Sequence, residues 1–270
     1  MSDWHFMDSA SRTNLLTAWD REAAGMMRLA DDATWDSPTG AGHWKVRDVF
    51  GHIVDTTEGY FVSFDAARGV GEPPENLGVR NMASYIDKGA QGFRSHSRRD
   101  MVDRLGDDLS KFRRIVDELG DEEWSGLIVP HKYMGPLPAS FYPLFQLVDY
   151  GVHSWDIREG SGRGHALDGD TADLLVPLAF ILWQSTHEIP ETTEPYQLGI
   201  RVSGRNGGDY VLSVAPGGLT VEPGDIDSLP AIIEFDPATL VLTSYGRMNG
   251  GTVRGDAALA ERFLNSFFRI

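Results

Sequence analysis

The spacing of hydrophobic residues divides the chain into a helical first half and a mixed second half. In the first half, apolar side chains recur every three or four residues, which is the period of an amphipathic helix. This pattern predicts helices over residues 9–30, 45–67 and 139–159, and a longer helical region over residues 81–119 that breaks near His96. Four long helices with moderate connections are typical of an antiparallel four-helix bundle.

The pattern changes in the second half of the chain. Residues 126–138 are predicted to form a loop because prolines interrupt them, and the glycine-rich residues 160–165 are typical of a junction. One helix over residues 171–188 is followed by short β-type runs and two further helices. The predicted strands cover residues 196–203, 210–214, 218–221, 231–235 and 252–254, and the last helices cover residues 237–245 and 256–268. We therefore predict an α+β fold, with a helical bundle over residues 1–160 and a small α+β domain over residues 161–270.

The composition narrows the classes of function. The 270-residue chain has 40 acidic and 24 basic side chains, and its net charge of −16 disfavours binding to nucleic acid or to anionic lipid. Cysteine is absent, so thiolate ligands and cysteine nucleophiles are excluded, and a metal would have to be held by His, Asp or Glu. The first residues lack the pattern of a signal peptide, and no apolar run is long enough to span a bilayer. A cytoplasmic protein is therefore expected.

Three side chains on two predicted helices form a candidate metal site. His52 lies on the inward face of the second helix, beside Val49 and Ile53. Asp149 and His153 lie four residues apart on the fourth long helix, so they share one face. Two imidazoles and a carboxylate can hold one divalent ion and leave open positions for a substrate. The same residues are also compatible with a buried, hydrogen-bonded histidine and a simple Asp–His ion pair.

Longer motifs surround these three residues. The stretch from Trp44 to Ile53 resembles the W-x-V-R-D-V-x-x-H-[IL] motif of the DinB-like helical-bundle metalloenzymes, and residues 149–157 resemble their [DE]-x-x-x-H-x-x-D-[IL] motif. Within that group the chain resembles the mycothiol-dependent maleylpyruvate isomerase family of actinobacteria, which carries a small α+β domain after the bundle. Three segments of the second half extend the resemblance to that domain: residues 235–240, 245–247 and 255–259.

The resemblance implies a set of functional residues. It assigns His52, Asp149 and His153 as ligands of a divalent metal, and borderline nitrogen and oxygen donors favour Zn²⁺. The isomerases carry Glu at the acidic position, where this chain has Asp149. An arginine of the second domain supports catalysis in the isomerases, and Arg247 is the residue that matches it. A surface position or a salt bridge is the alternative role for Arg247.

Polar and aromatic neighbours of the motif suggest supporting roles. Asp156 could orient a ligand imidazole, or it could cap the helix or form an ion pair. Asp48 could orient a ligand imidazole in the same way. Trp44 is expected to anchor the start of its helix rather than to bind substrate. His131 stands just before the fourth long helix, a position from which it could line the cleft.

The resemblance also implies a reaction class. It indicates an enzyme that uses a low-molecular-weight thiol, mycothiol, as cosubstrate against a small electrophilic substrate. Transfer of the thiol would give an S-conjugate, whereas addition to a cis double bond, rotation and elimination would give an isomer. The alternatives are a metal-binding protein without turnover, such as a ligand-binding or stress protein, and a metal-dependent hydrolase. The sequence leaves the substrate and the oligomeric state open.

Overall fold

The computed structural model describes residues 4–270, and the chain divides into two compact units, one ending at Leu167 and the other running from Asp168 to Ile270. Within these residues, the first unit contains a short 3₁₀ turn, six α-helices and a two-stranded hairpin. The helices are α1 (Arg12–Asp32), α2 (Val46–Ala67), α3 (Val79–Gly92), α4 (Arg98–Asp117), α5 (Asp121–Gly126) and α6 (Phe141–Gly160).

Four long helices form a bundle in the first unit. α1 contacts α4 and α6, and α2 contacts the same two helices, while α3 packs against α2. α6 is enclosed on most sides, since apolar residues and four polar or charged ones, Gln146, His153, Ser154 and Asp156, are all buried along it. Buried polar side chains require partners. Gln146 obtains its partners from α1 and α2, since Trp19 donates to it and it donates to Thr57. His153 and Asp156, in contrast, pair within α6.

Local signals explain how the long helical region divides. α4 begins after Ser97, whose hydroxyl accepts a hydrogen bond from the backbone N–H of Asp100. Ser is a preferred residue at this capping position because it satisfies an N–H that lacks a partner within the helix. The region predicted over residues 81–119 is thus two helices, α3 and α4, and the predicted break near His96 is confirmed.

The segment before α6 differs from the prediction. Residues 126–138 were expected to form a loop, but they contain a hairpin of β1 (Ile128–His131) and β2 (Gly135–Pro138), so this prediction is wrong. Val129 pairs with Leu137, and His131 pairs with Gly135, which turns the chain with a φ of 80°. Prolines are tolerated in a two-stranded sheet because each strand has an edge that needs no N–H donor.

The second unit is a five-stranded sheet with three helices, within the described residues. Its elements are α7 (Gly169–Thr186), β3 (Tyr196–Val202), β4 (Gly208–Ala215), β5 (Gly218–Pro223), β6 (Ala231–Phe235), α8 (Pro237–Ser244), β7 (Thr252–Gly255) and α9 (Ala257–Leu264). The strand order is β5-β4-β3-β6-β7; β3 and β6 are parallel and the other neighbours are antiparallel. The predicted α+β class, with a helical region before a sheet domain, is confirmed. Across residues 4–270, each helix is too short or too polar to cross a membrane.

Candidate metal centre

Two helices of the bundle carry the predicted ligands. His52 lies in α2, and Asp149 and His153 lie four residues apart in α6. This spacing turns both α6 side chains to the same face of the helix. One potential ligand atom of each residue lies within 4.8 Å of those of the other two. The structure therefore brings the three residues of the predicted triad together at one point.

The distances within this triad suit a small divalent cation. His52 Nε2 lies 3.4 Å from Asp149 Oδ1, and the centroids of the His52 and His153 rings are 5.0 Å apart. Two ligand atoms on a tetrahedral ion with bonds of about 2.1 Å are separated by about 3.4 Å. The two histidines are buried, whereas the Asp149 side chain is 19% exposed. The site is therefore enclosed and keeps an opening beside the carboxylate.

The second ring nitrogen of each histidine contacts another side chain. His153 Nδ1 donates to Asp156 Oδ2 at 2.8 Å, and His52 Nδ1 lies 3.2 Å from the hydroxyl oxygen of Thr56. Metal-binding histidines usually hydrogen-bond through the nitrogen that does not face the metal, because this bond sets the tautomer and the ring orientation. Both imidazoles are thus oriented with Nε2 available to a shared ion.

These contacts test the expected supporting roles. Asp156 orients the His153 imidazole, as the sequence suggested. The expected role of Asp48 is wrong, because its carboxylate binds the Arg94 guanidinium at 2.7 and 2.9 Å and accepts the N–H of Lys45. Sequence reasoning missed Thr56, although its position one turn after His52 was the available signal.

Trp44 forms one wall of the site. Its indole centroid lies 5.3 Å from the His52 ring and 5.7 Å from the His153 ring. The indole Nε1–H donates to Asp87 Oδ1 at 2.8 Å, so a residue of α3 holds the ring in place. Trp44 therefore does more than begin a helix: its ring covers both imidazoles.

Burial controls the charge of the imidazoles around the site. Burial lowers the pKa of His153, and the adjacent Asp156 carboxylate opposes that shift. Burial also lowers the pKa of His131 to about 4, against the raising effect of the Asp149 carboxylate. Both imidazoles are consequently neutral at pH 7. A neutral imidazole is the form that binds metal.

Arg247 belongs to the second unit and follows α8. Its guanidinium Nη1 donates to the backbone carbonyl of Tyr245 at 2.8 Å, and its side chain is half-buried. The catalytic role that the resemblance implies for Arg247 stays a prediction.

Comparisons with known proteins identify the family of the chain and structures with a similar fold. Residues 15–158 match the family model described as the mycothiol maleylpyruvate isomerase N-terminal domain. Two solved structures are similar in fold: the mycothiol-dependent maleylpyruvate isomerase and its histidine-to-alanine mutant. Each has a TM-score of 0.64 and 14% sequence identity, with 98% of this chain and 99% of the other chain covered. No curated protein matches the sequence at a significant level.

Proposed function

Because the chain belongs to the mycothiol maleylpyruvate isomerase family, we propose that it is a metal-dependent enzyme that uses mycothiol as cosubstrate. The reaction is isomerisation of a maleylpyruvate-type substrate across a cis double bond, or transfer of the thiol to a small electrophile. The observation that carries the proposal is the convergence of His52, Asp149 and His153 at one point between α2 and α6. Asp149 takes the place of the Glu that the resemblance leads one to expect.

The side chains of this chain would hold the metal and set its surroundings. His52 and His153 would bind through Nε2, since their Nδ1 atoms contact Thr56 and Asp156. Asp149 would supply one carboxylate oxygen. Two neutral imidazoles and one carboxylate leave a bound divalent ion with a net positive charge. That charge supplies the chemistry of the site, since it favours the deprotonated, nucleophilic form of a thiol.

The surroundings of the triad supply binding and exclusion of water. Trp44 covers both imidazoles, so solvent reaches the triad mainly on the side of Asp149. A small electrophilic substrate and a nucleophilic thiol entering there would meet in a partly desolvated space, where charge interactions are stronger than in water. Zinc is the proposed ion because its borderline character suits two imidazoles and a carboxylate.

Arg247 is the proposed catalytic residue of the second unit. Its support is the resemblance of residues 245–247 to the second domain of the isomerases, where an arginine supports catalysis. A guanidinium is a planar, permanently charged donor that can bind a carboxylate with two parallel hydrogen bonds. A dicarboxylate of the maleylpyruvate type would offer such a group.

Elemental analysis of the purified protein and of His52→Ala tests the metal site. The wild type is expected to contain about one divalent ion per chain, with zinc as the proposed metal. His52→Ala is expected to lose most of it, because a tetrahedral site with only two protein ligands binds metal weakly. His96→Ala is the matched control, since His96 is exposed at the turn between α3 and α4. Equal metal content in the wild type and His52→Ala would remove the proposed site.

A turnover assay with maleylpyruvate, with and without mycothiol, tests the reaction. Isomerisation regenerates the thiol, whereas transfer consumes one thiol for each product molecule, so the amount of remaining free thiol separates the two reactions. Metal-dependent hydrolysis of the substrate in the absence of thiol would favour a hydrolase. A metal-loaded protein without turnover would favour the non-catalytic alternative.

A further inference from the structure

His131 is a buried histidine that the proposed metal site does not use. It ends β1, and only 8% of its surface is exposed. The backbone N–H groups of Tyr133 and Met134 both donate to its Nδ1, at 3.2 and 3.1 Å. Nδ1 must therefore be an acceptor, so the imidazole is neutral and its only proton is on Nε2. The tight turn between β1 and β2 fixes this tautomer.

The His131 ring lies between the two helices that carry the triad. Its centroid is 5.1 Å from that of Phe145, which precedes Asp149 by one turn of α6. On the other side it is 6.3 Å from the ring of Tyr60, which follows His52 by two turns of α2. Residues spaced by four share a helix face. His131 thus occupies the next layer of the same cleft, on the side away from Trp44.

Among residues 4–270, no group accepts a hydrogen bond from the Nε2–H group of His131, although this nitrogen is not fully enclosed. The donor is therefore open to a hydrogen bond with water or with a bound ligand. A phenylalanine would fill the same aromatic layer of Tyr60, Tyr142 and Phe145 but would offer no donor. A donor that is fixed by its tautomer, lacks a protein acceptor and lies beside a candidate active site is suited to an acceptor atom of a bound ligand.

We propose that His131 is a ligand-binding residue whose Nε2–H donates a hydrogen bond to an oxygen acceptor of a molecule bound in the cleft. The ligand class is a small oxo acid or a thiol whose amide or hydroxyl oxygen reaches the same layer. Because His131 cannot release its Nε2 proton and accept another at Nδ1 without breaking two backbone hydrogen bonds, it binds and orients rather than transfers protons. This assignment rests on the proposed function, which supplies the two ligands to be tested.

Steady-state kinetics of His131→Phe and His131→Gln tests the assignment. His131→Phe keeps an aromatic ring and removes the donor, and we expect it to lower kcat/KM by about 5- to 30-fold, the value of one buried hydrogen bond. His131→Gln retains an N–H donor and is expected to recover part of the loss. A raised KM for maleylpyruvate alone identifies the oxo acid as the acceptor, whereas a raised KM for mycothiol alone identifies the thiol.

Phe145→Leu is the structural control, because it disturbs the ring packed on His131 without removing a polar atom. Its melting temperature and metal content, measured beside those of His131→Phe, show what altered packing alone does. Normal kcat and KM values for both ligands in His131→Phe, at unchanged metal content, overturn the assignment. So does a loss in Phe145→Leu that equals the loss in His131→Phe.

Imidazole NMR of the zinc-loaded wild type provides a measurement that does not depend on turnover. The nitrogen shifts of His131 are expected to show the Nε2–H tautomer, and its Hε2 signal is expected to move and to exchange more slowly when maleylpyruvate or mycothiol is added. An Nδ1–H tautomer, or no change at saturating concentrations of both ligands, overturns the assignment. Failure of the proposed function shows separately, as absence of thiol-dependent turnover in the wild type.

Discussion

Asp48 and Asp156 are two buried carboxylates with different tasks. Both have no exposed surface, and each lies within four residues of a histidine of the triad. Asp156 accepts a hydrogen bond from the His153 imidazole, whereas Asp48 binds the guanidinium of Arg94 and the backbone at the start of α2. Burial raises the pKa of Asp48, but these partners outweigh that effect and lower it. The partner, rather than the burial, decides the role.

Replacing Asp156 with Asn should weaken metal binding while keeping the fold. Asn has the same shape, but it removes the negative charge that orients and polarises His153. Loss of such a partner typically costs about 10- to 100-fold in metal affinity. Zinc affinity, measured by competition with a chelator, checks this. Asp48→Asn is the control: it should lower stability through the loss of the Arg94 pair and leave zinc affinity unchanged. Equal zinc affinities in Asp156→Asn and the wild type would contradict the role of Asp156.

Spacing within one helix predicted the roles of residues in α6 but not in α2, where Asp48 was assigned to His52 and Thr56 is the actual neighbour. Spacing placed Asp149 on the face of His153, and it offered Asp156 as a partner for the same ring. Contacts between separate elements carry no such signal in a single sequence. The hydrogen bond from Trp44 to Asp87 depends on how α3 packs, and the contact of the His131 ring with Phe145 depends on how the hairpin packs.

At the scale of elements, the close contact between α2 and α3 depends on a glycine. A Cβ added at Gly51 would lie 2.5 Å from the carbonyl oxygen of Ala90, which is backbone and cannot rotate away. Gly51 also directly precedes His52 in α2. α3 holds Trp44 through Asp87, and its close packing on α2 therefore requires that residue 51 have no side chain.

Gly51→Ala should destabilise the protein by about 1–3 kcal/mol, because the two helices must separate to make room. Gly59→Ala is the matched control on the same helix: nothing lies within 4 Å of the added Cβ. That substitution should stabilise by about 0.5–1 kcal/mol through higher helix propensity. Urea unfolding of both variants measures these changes. A Gly51→Ala protein as stable as Gly59→Ala would show that α3 does not pack as described.

Helices were predicted more accurately than the hairpin because their signals differ in length. α1, α2 and α6 repeat an apolar face over five or more turns, and their predicted ends differ from the observed ends by a few residues. The hairpin of β1 and β2 offers four residues per strand, and prolines stand at Pro130, Pro136 and Pro138. Strands this short give too few alternations to outweigh the loop signal of proline.

At the scale of the whole molecule, the class of the fold was predictable and the strand order was not. Alternating apolar residues marked β3 to β7, but the parallel pairing of β3 with β6 joins segments separated by two other strands. Such pairing is decided by tertiary packing. The acid excess seen in the composition is also a property of the whole molecule, and it is unfavourable where a buried carboxylate lies near other acidic groups and has an oxygen without a hydrogen-bond partner.

Asp108 in α4 is such a carboxylate. It is 8% exposed, and its Oδ2 has no hydrogen-bond partner among residues 4–270. Burial raises its pKa to about 6, and the charge of Glu58 adds to the shift against the opposing effects of Arg104 and Lys111. Since the pKa of Asp108 in the folded protein lies above the ordinary pKa of an aspartate, 3.8, the folded state is favoured while Asp108 is protonated. This contribution is complete below about pH 4 and is lost as the pH rises through about 6.

Asp108→Asn should therefore make the first unit more stable than the wild type at pH 7.5, by about 1–3 kcal/mol, with a difference that shrinks as the pH falls towards 4. Urea unfolding followed by tryptophan fluorescence suits this test, because of the seven tryptophans only Trp183 lies in the second unit. Excess chelator removes the separate pH dependence of metal binding. Asp103→Asn, at an exposed position of the same helix, should show no such pH-dependent gain. A stability difference between Asp108→Asn and the wild type that stays constant from pH 4 to 7.5 would mean that Asp108 titrates normally in the folded protein.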